Sequence, residues 1–470
     1  MLAFSVIAYL VISLAIGLWA ARRVRNENDF VSAGRNLPLM LATTTVFGTW
    51  FGSETVLGAS SEFAETGMKG VIEDPFGASL CLVLVAAFFA RPLYRLNLLT
   101  FGDFYKVTFG RRAEFVSAIF LILSYLGWVA AQMVACGIII HAVMPAVSVE
   151  AGIVASALVV FGCTATGGLW SVSITDFFHV IIIIIGLIAC VVVLVPQAGG
   201  FSNIVDAQPD GFFAFHPDRS LNGWLVHFAA WITIGLGSIP QQDVYQRVMA
   251  SKTEKIAVRS SYFGALMYLT IAFIPLLLTL CAKVLVVTPS GDSQMLLPDL
   301  IMQHTGVWIQ ILFFGALLSA VLNAACGALL APSVILSENL ILPRLKQDLS
   351  QKARLRLMRW SVIIVGCVSL GMALVRQDIY ELVGEASVIS LVGLFVPLCA
   401  GLFLKNRNEI AAITSMIGGS AVWFIFRWNE TEESTPPLLW GLAAAFTFYI
   451  LICVLLPRGN KGHDSLQQGN

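Results

Sequence analysis

Charge is what this chain has least of. Only 12% of its 470 residues are Asp, Glu, Lys or Arg, against 58% hydrophobic residues, whereas soluble domains carry about 25% charged residues. An ordinary soluble globular fold is thereby excluded. The charges also cancel, 28 basic against 28 acidic, which removes the electrostatic case for a nucleic-acid partner. There is no CxxC pair, no clustered His/Asp/Glu set and no nucleophile elbow, so nothing marks the chain as an enzyme. The nine cysteines fall inside or at the ends of apolar runs and read as small packing residues.

What fills the chain instead is a succession of apolar runs. Thirteen approach the ~20 residues needed to cross a hydrocarbon core, at roughly 2–22, 38–62, 74–91, 113–145, 150–167, 175–197, 222–245, 258–287, 306–338, 358–376, 380–404, 409–427 and 436–457. An all-α integral membrane protein follows. The opening run has no basic stretch ahead of it and is followed by Arg22 and Arg23, so it reads as a retained span rather than a secretory signal. With the amino terminus outside, the inner loops and tail collect 23 of the 28 Lys and Arg, leaving Lys69, Arg219, Lys283, Arg376 and Arg427 on the outer side. Positive residues favour the cytoplasmic side, so we expect a multi-pass cell-membrane protein with its amino terminus outside and carboxyl terminus cytoplasmic. The basic stretch 338–358 reads as a membrane-surface helix.

Two runs are interrupted at matching places. One reads Phe47-Gly48-Thr49-Trp50-Phe51-Gly52-Ser53-Glu54, the other Gly235-Leu236-Gly237-Ser238-Ile239-Pro240-Gln241-Gln242-Asp243. Unpaired backbone at bilayer depth is costly unless it lines a cavity or a ligand, and paired breaks in the two halves of a chain mark the binding site of a secondary transporter. With the first span set aside, ten spans divide into two fives of opposite sense, the arithmetic of an inverted repeat. The expected organisation is an extra helix and inner loop (1–37), a first repeat (38–197), an outer loop (198–221), a second repeat (222–404), and two extra helices with a short tail (405–470). The outer loop, rich in Pro, Gly and aromatic residues, reads as a structured lid.

Three motifs now fall in order: Ser32-Ala33-Gly34-Arg35-Asn36-Leu37-Pro38, Gly167-Gly168-Leu169-Trp170-Ser171-Val172 with Thr175-Asp176, and Gly237 to Asp243 with Tyr245-Gln246-Arg247. Together they resemble the sodium:solute symporter family from about residue 30 to 405. Members of that family carry proline, sugars, choline, sialic acid and vitamins. The resemblance implies a leucine-transporter-type core of ten helices in two inverted fives, with one helix added before and two after. It also implies a sodium ion between the first and eighth core helices, held by carbonyls at Gly48, Phe51 and Ala320 and by hydroxyls at two positions that here are Asn323 and Ala324. Both depart from the pattern, since Asn323 brings an amide oxygen and Ala324 only its backbone. Ser319, one turn earlier, is an alternative donor. In relatives the counterpart of Asp176 lies by the cytoplasmic ion exit; as the residue that begins a span, Asp176 also suits a helix N-terminus.

Glu54 is the most unusual residue, because a carboxylate near the middle of a span costs roughly 2.5–3.5 kcal/mol on insertion scales. Trp50 offers an indole face, which can hold an ammonium group, and Thr49-Trp50 followed by Gly52 resembles the family's choline branch. Trp128, Gln132, Trp231 and Gln241 complete the candidate substrate set; Asp243 and Arg247, four apart on a helix, read as an ion pair. The resulting expectation is a symporter coupling inward sodium movement to uptake of an amino acid, amine or quaternary ammonium compound, embedded in a lipid bilayer. The rivals are a proton-coupled or uncoupled transporter of the same fold, and a membrane sensor acting through a separate partner.

Overall fold

Without water to solvate it, the backbone of a membrane segment must satisfy its own hydrogen bonds. In the computed structural model, which describes residues 2–24, 27–217, 219–289, 292–345, 349–429 and 435–456, regular structure is accordingly helical, apart from one isolated backbone bridge between Leu37 and Ser251. Arg25, Lys346, Arg458 and Lys461, counted above as inner-side charges, lie outside the described residues.

The helices follow in the expected order. α1 is Leu2–Ala21. The first interrupted run forms α2, Leu39–Trp50, and, beyond a break at Phe51 and a π turn over Glu54–Gly58, α3, Ala59–Thr66. Then come α4 (Ile72–Leu96), α5 (Arg111–Val143), α6 (Val149–Ala165) and α7 (Gly168–Gln197). The second interrupted run forms α8 (Leu221–Gly237) and α9 (Gln242–Ala250), bent by 49°. α10 (Glu254–Val284), α11 (Val307–Arg344), α12 (Gln351–Val375), α13 (Ile379–Phe403), α14 (Glu409–Trp428) and α15 (Pro437–Leu455) are the remaining long helices, and short helices at Glu27–Ser32, Phe101–Thr108, Gly200–Asp206 and Leu296–His304 lie in the connections. Among the described residues nine helices are long and apolar enough to span a membrane, ten if the bent pair counts as one. The three further expected spans correspond to α1, the α2–α3 pair and the shorter α6.

Capping side chains set the helix starts. Ser148, Ser220, Thr253, Ser350 and Asp378 each accept a hydrogen bond from a first-turn amide, and Thr100 and Asp103 form a reciprocal capping box, contacts worth about 1 kcal/mol each. Two expectations change here. α7 begins at Gly168, where a left-handed backbone (φ 57°) turns the chain against Phe30; Asp176 therefore lies two turns inside a helix, not at its start. In 338–358 the described residues form no separate surface helix: Arg354, Arg356 and Arg359 belong to the first turns of α12.

α2 packs against α7 and α10, and α11 runs along α5 and α7. α14 and α15 pack on each other at the periphery, with Ile417, Phe424, Ile450 and Val454 exposed, as suits lipid contact. All nine cysteines are free. Residues of the connection between α7 and α8 pack on the bundle: Phe212 stacks edge-on against Phe63 (5.0 Å), its carbonyl accepts from the Met68 amide (2.9 Å), and the Lys283 ammonium lies 4.4 Å from its ring centroid.

The second break is held by close backbone approach. A Cβ on Gly237 would lie 2.4 Å from the Ser387 carbonyl oxygen, so no larger residue fits without moving α13. Gly237→Ala is expected to destabilise the fold by about 1–3 kcal/mol through overpacking, read as a lower unfolding temperature of the purified protein in detergent.

Candidate functional site

Between the two breaks lies a small cavity lined by Trp50, Glu54, Ala78, Trp128, Ile234, Ser238, Gln241, Tyr268, Val383, Ala386 and Ser387. Four of the six residues expected at a substrate site therefore meet: Trp50, Glu54, Trp128 and Gln241. Gln132 lies just off the cavity, its amide oxygen 3.6 Å from where a Cβ of Gly52 would sit. Trp231 is displaced. Its indole N–H donates to His227 Nε2 (3.1 Å), and its ring packs near Phe76 and Phe215, among the aromatic residues under the outer loop. Its position on α8 points it away from the break, and no cavity contact remains to it.

The residue that sequence reasoning missed is Tyr268. Its hydroxyl bonds to Thr55 Oγ1 (2.5 Å) and donates to the Trp50 carbonyl (3.4 Å), the last residue before the break at Phe51, and its ring meets Trp50 edge-on at 6.5 Å. An aromatic residue in an unbroken apolar span gives no signal in sequence. Ser238 and Ser387 face each other across the cavity with their hydroxyls 3.4 Å apart.

Beneath the cavity, α9 plugs into the first broken helix. Asp243 accepts from Trp50 Nε1 (3.0 Å) and from the Tyr125 hydroxyl, while its own amide donates back to that hydroxyl (2.7 Å). Arg247 donates from Nε to Thr49 Oγ1 (2.9 Å). Both side chains are buried. The expected Asp243–Arg247 pair is replaced by these two separate bonds into α2, because the break turns the start of α9 toward Trp50 and Thr49.

The residues expected around sodium are partly assembled. Gly48 abuts Asp176, whose Oδ1 lies 3.1 Å from a Cβ that glycine lacks. Asn323 joins them: its Nδ2 donates to Asp176 Oδ1 and to the Val172 carbonyl (3.2 Å), and its Oδ1 accepts from Thr175 Oγ1 (2.8 Å). The second oxygen of Asp176 is buried with no hydrogen-bond partner. Phe51 stacks on Phe47 (4.8 Å), and Ala324 lies beside Gly52. Ala320 is buried in the same stretch of α11. Ser319, with Asn323, Thr175 and His179, lines a largely apolar cleft against α1. His179, one turn beyond Asp176, is buried near Tyr9.

A helical bundle with two broken spans around a buried polar and aromatic cavity has the build of a membrane transporter, and the chain's relatives are transporters rather than enzymes. The chain belongs to the sodium:solute symporter family, which it matches over residues 30–419. It is 26% identical to the human high affinity choline transporter 1 over 444 residues, covering 88% of this chain and 75% of that protein. To the high-affinity choline transporter 1 of Drosophila melanogaster it is 26% identical over 439 residues (89% and 69%), and to the human sodium-coupled monocarboxylate transporter 1 it is 24% identical over 449 residues (88% and 71%). Its fold matches a substrate-bound, outward-open Na+-coupled sialic acid symporter with a TM-score of 0.84 at 17% identity, covering 98% of this chain and 99% of that one. A nucleobase-cation-symport-1 family transporter in a closed conformation matches at 0.60 and 14% identity (92% and 96%).

Asp243→Ala leaves the Trp50 indole and the Tyr125 hydroxyl without their shared acceptor, a loss of about 3–6 kcal/mol for two bonds to a charged group. The expected result is a lower unfolding temperature, with Asp243→Asn falling between the alanine variant and the wild type.

Proposed function

We propose that this chain is a secondary active transporter that takes up a small organic cation, a quaternary ammonium compound or a protonated amine, with inward sodium movement. One observation carries the reading: Trp50, Trp128 and Tyr268 converge with the Glu54 carboxylate on one cavity between the broken helices. Indole and phenol faces attract a cation with ~2 kcal/mol or more once water is excluded. The carboxylate supplies the countercharge that a buried cation requires. Gln241, Ser238 and Ser387 would orient a polar group on the substrate. The choline transporters among its relatives support an ammonium ligand.

Sodium would sit where Gly48, Phe51 and Ala320 offer carbonyls. Asn323 already uses its amide oxygen on Thr175, and Ala324 offers no side-chain oxygen. The buried second oxygen of Asp176 can make good that deficit, which turns Asp176 from an ion-exit residue into a ligand. Ten helices, from Leu39 to Phe403, would form the two inverted fives, with the amino terminus outside. In that orientation a 100 mV potential contributes about 2.3 kcal/mol for sodium and about 2.3 for a monovalent cationic substrate. A tenfold sodium gradient adds about 1.4 kcal/mol. The total of about 6 kcal/mol supports roughly 10⁴-fold accumulation.

The test is uptake of radiolabelled choline into proteoliposomes under an imposed sodium gradient, and again under a proton gradient. Sodium-driven accumulation is expected. Trp50→Ala and Glu54→Gln should each raise the half-saturating choline concentration about tenfold or more, the equivalent of ~1.4 kcal/mol. Accumulation under the proton gradient alone would overturn the sodium coupling. Failure of choline and a panel of amines to move under either gradient would overturn the substrate class.

A further inference from the structure

Behind the wall of that cavity a second group of oxygens is assembled by two departures from α-helical geometry. Glu54 opens the π turn Glu54–Gly58, which places Glu54 and Thr55 inside the bundle, both more than nine-tenths buried. In the facing run, the backbone at Asp74 is extended (φ −136°, ψ 120°), so the start of α4 leaves the helical ladder there. Asp74 is fully buried. The hydroxyls of Tyr268 and Thr55 lie beside it, and the Glu54 carboxylate is its charged neighbour.

Three carboxylate oxygens in this group, Glu54 Oε1 and both oxygens of Asp74, are buried with no hydrogen-bond partner. None of the ion pairs among the described residues involves Glu54 or Asp74. Glu73, the remaining acidic neighbour, lies by Thr233 and Gly384. Two neighbouring buried carboxylates without positive charge are strongly unfavourable, so a proton or a cation must neutralise them.

The donor set says which. Among the described residues no group of three or more His, Cys, Asp or Glu side chains could hold a metal ion, which argues against a transition metal, and a divalent hard cation asks for six or more oxygens. A proton bonds one oxygen or bridges two; three orphaned oxygens and two hydroxyls suit a larger ion that touches several at once. We propose that Glu54, Asp74, Thr55 and Tyr268 form a binding site for a monovalent metal cation, sodium, distinct from the group around Gly48 and Asp176. Glu54 and Tyr268 border both this site and the substrate cavity, so an ion here sets the position and charge of the cavity wall. The inference needs no particular substrate.

Equilibrium binding of ²²Na⁺ to the purified full chain, without organic substrate and at fixed pH, tests it. Asp74→Asn is expected to bind one sodium fewer per chain than the wild type, and Asp176→Asn to retain the ion that Asp74 holds. Tyr268→Phe keeps the ring and removes one oxygen; it should weaken that ion's affinity about tenfold without changing the count at saturation. Monodispersity and unfolding temperature measured on each variant separate loss of a site from loss of the fold. If Asp74→Asn and Tyr268→Phe both bind sodium like the wild type, the site does not hold the ion. A wild type whose Asp74-dependent signal is proton uptake rather than ²²Na⁺ would make the group a shared-proton pair and likewise overturn the proposal. Sodium binding is read without organic substrate, so failure of choline to move and failure of Asp74 to hold an ion are told apart.

Discussion

Everything at the centre of this molecule depends on how the half-helix after the second break is tied to the half-helix before the first. Asp243 takes two donors, from the Trp50 indole and the Tyr125 hydroxyl, and Arg247 reaches the Thr49 hydroxyl. These bonds join α2, α5 and α9 below the cavity and fix the Trp50 ring that forms its floor. Burying an Asp and an Arg is tolerable only because each is bonded at a defined place. Remove that junction and the aromatic wall loses its position before any ligand is involved.

The breaks show how so polar a centre can exist in so apolar a chain. At Phe51 and again from Ser238 to Gln241 the helical ladder stops, freeing main-chain groups that must then find partners or a ligand. Tyr268 meets one of them, bonding to the carbonyl of Trp50. Others face the space between the halves. A handful of the scarce charged residues lie there: Glu54, Asp74, Asp176, Asp243 and Arg247 are all buried.

Much of this was legible in sequence, and the residues show why. Length and apolarity marked the spans, and Gly-rich interruptions marked both breaks, because glycine and proline disrupt a helix wherever it lies. Trp50, Glu54, Trp128 and Gln241 could be named because a polar or indole side chain at bilayer depth is costly unless it faces a cavity or a partner. Trp231 was also named but does not line the cavity, because one-dimensional spacing does not give a helix's rotation about its axis. Asp176 read as a helix start because the apolar run was taken to begin at about residue 175, whereas the helix starts at the left-handed Gly168. Asp74 and Tyr268 escaped notice for different reasons. The first sits at the edge of a run, where a carboxylate looks like a solvated end; the second is one aromatic among many, distinguished only by the hydroxyls it meets in three dimensions.

The bridge between Leu37 and Ser251 adds something of another kind. The Leu37 amide bonds to the Ala250 carbonyl and the Lys252 amide to the Leu37 carbonyl, each at 3.0 Å. A seam made of main chain is blind to side-chain identity. It holds the lead-in to one broken helix against the end of the other whatever residues line the chamber above. Side-chain substitutions that alter the chamber lining, and ligand preference with it, leave the donors and acceptors of this seam in place.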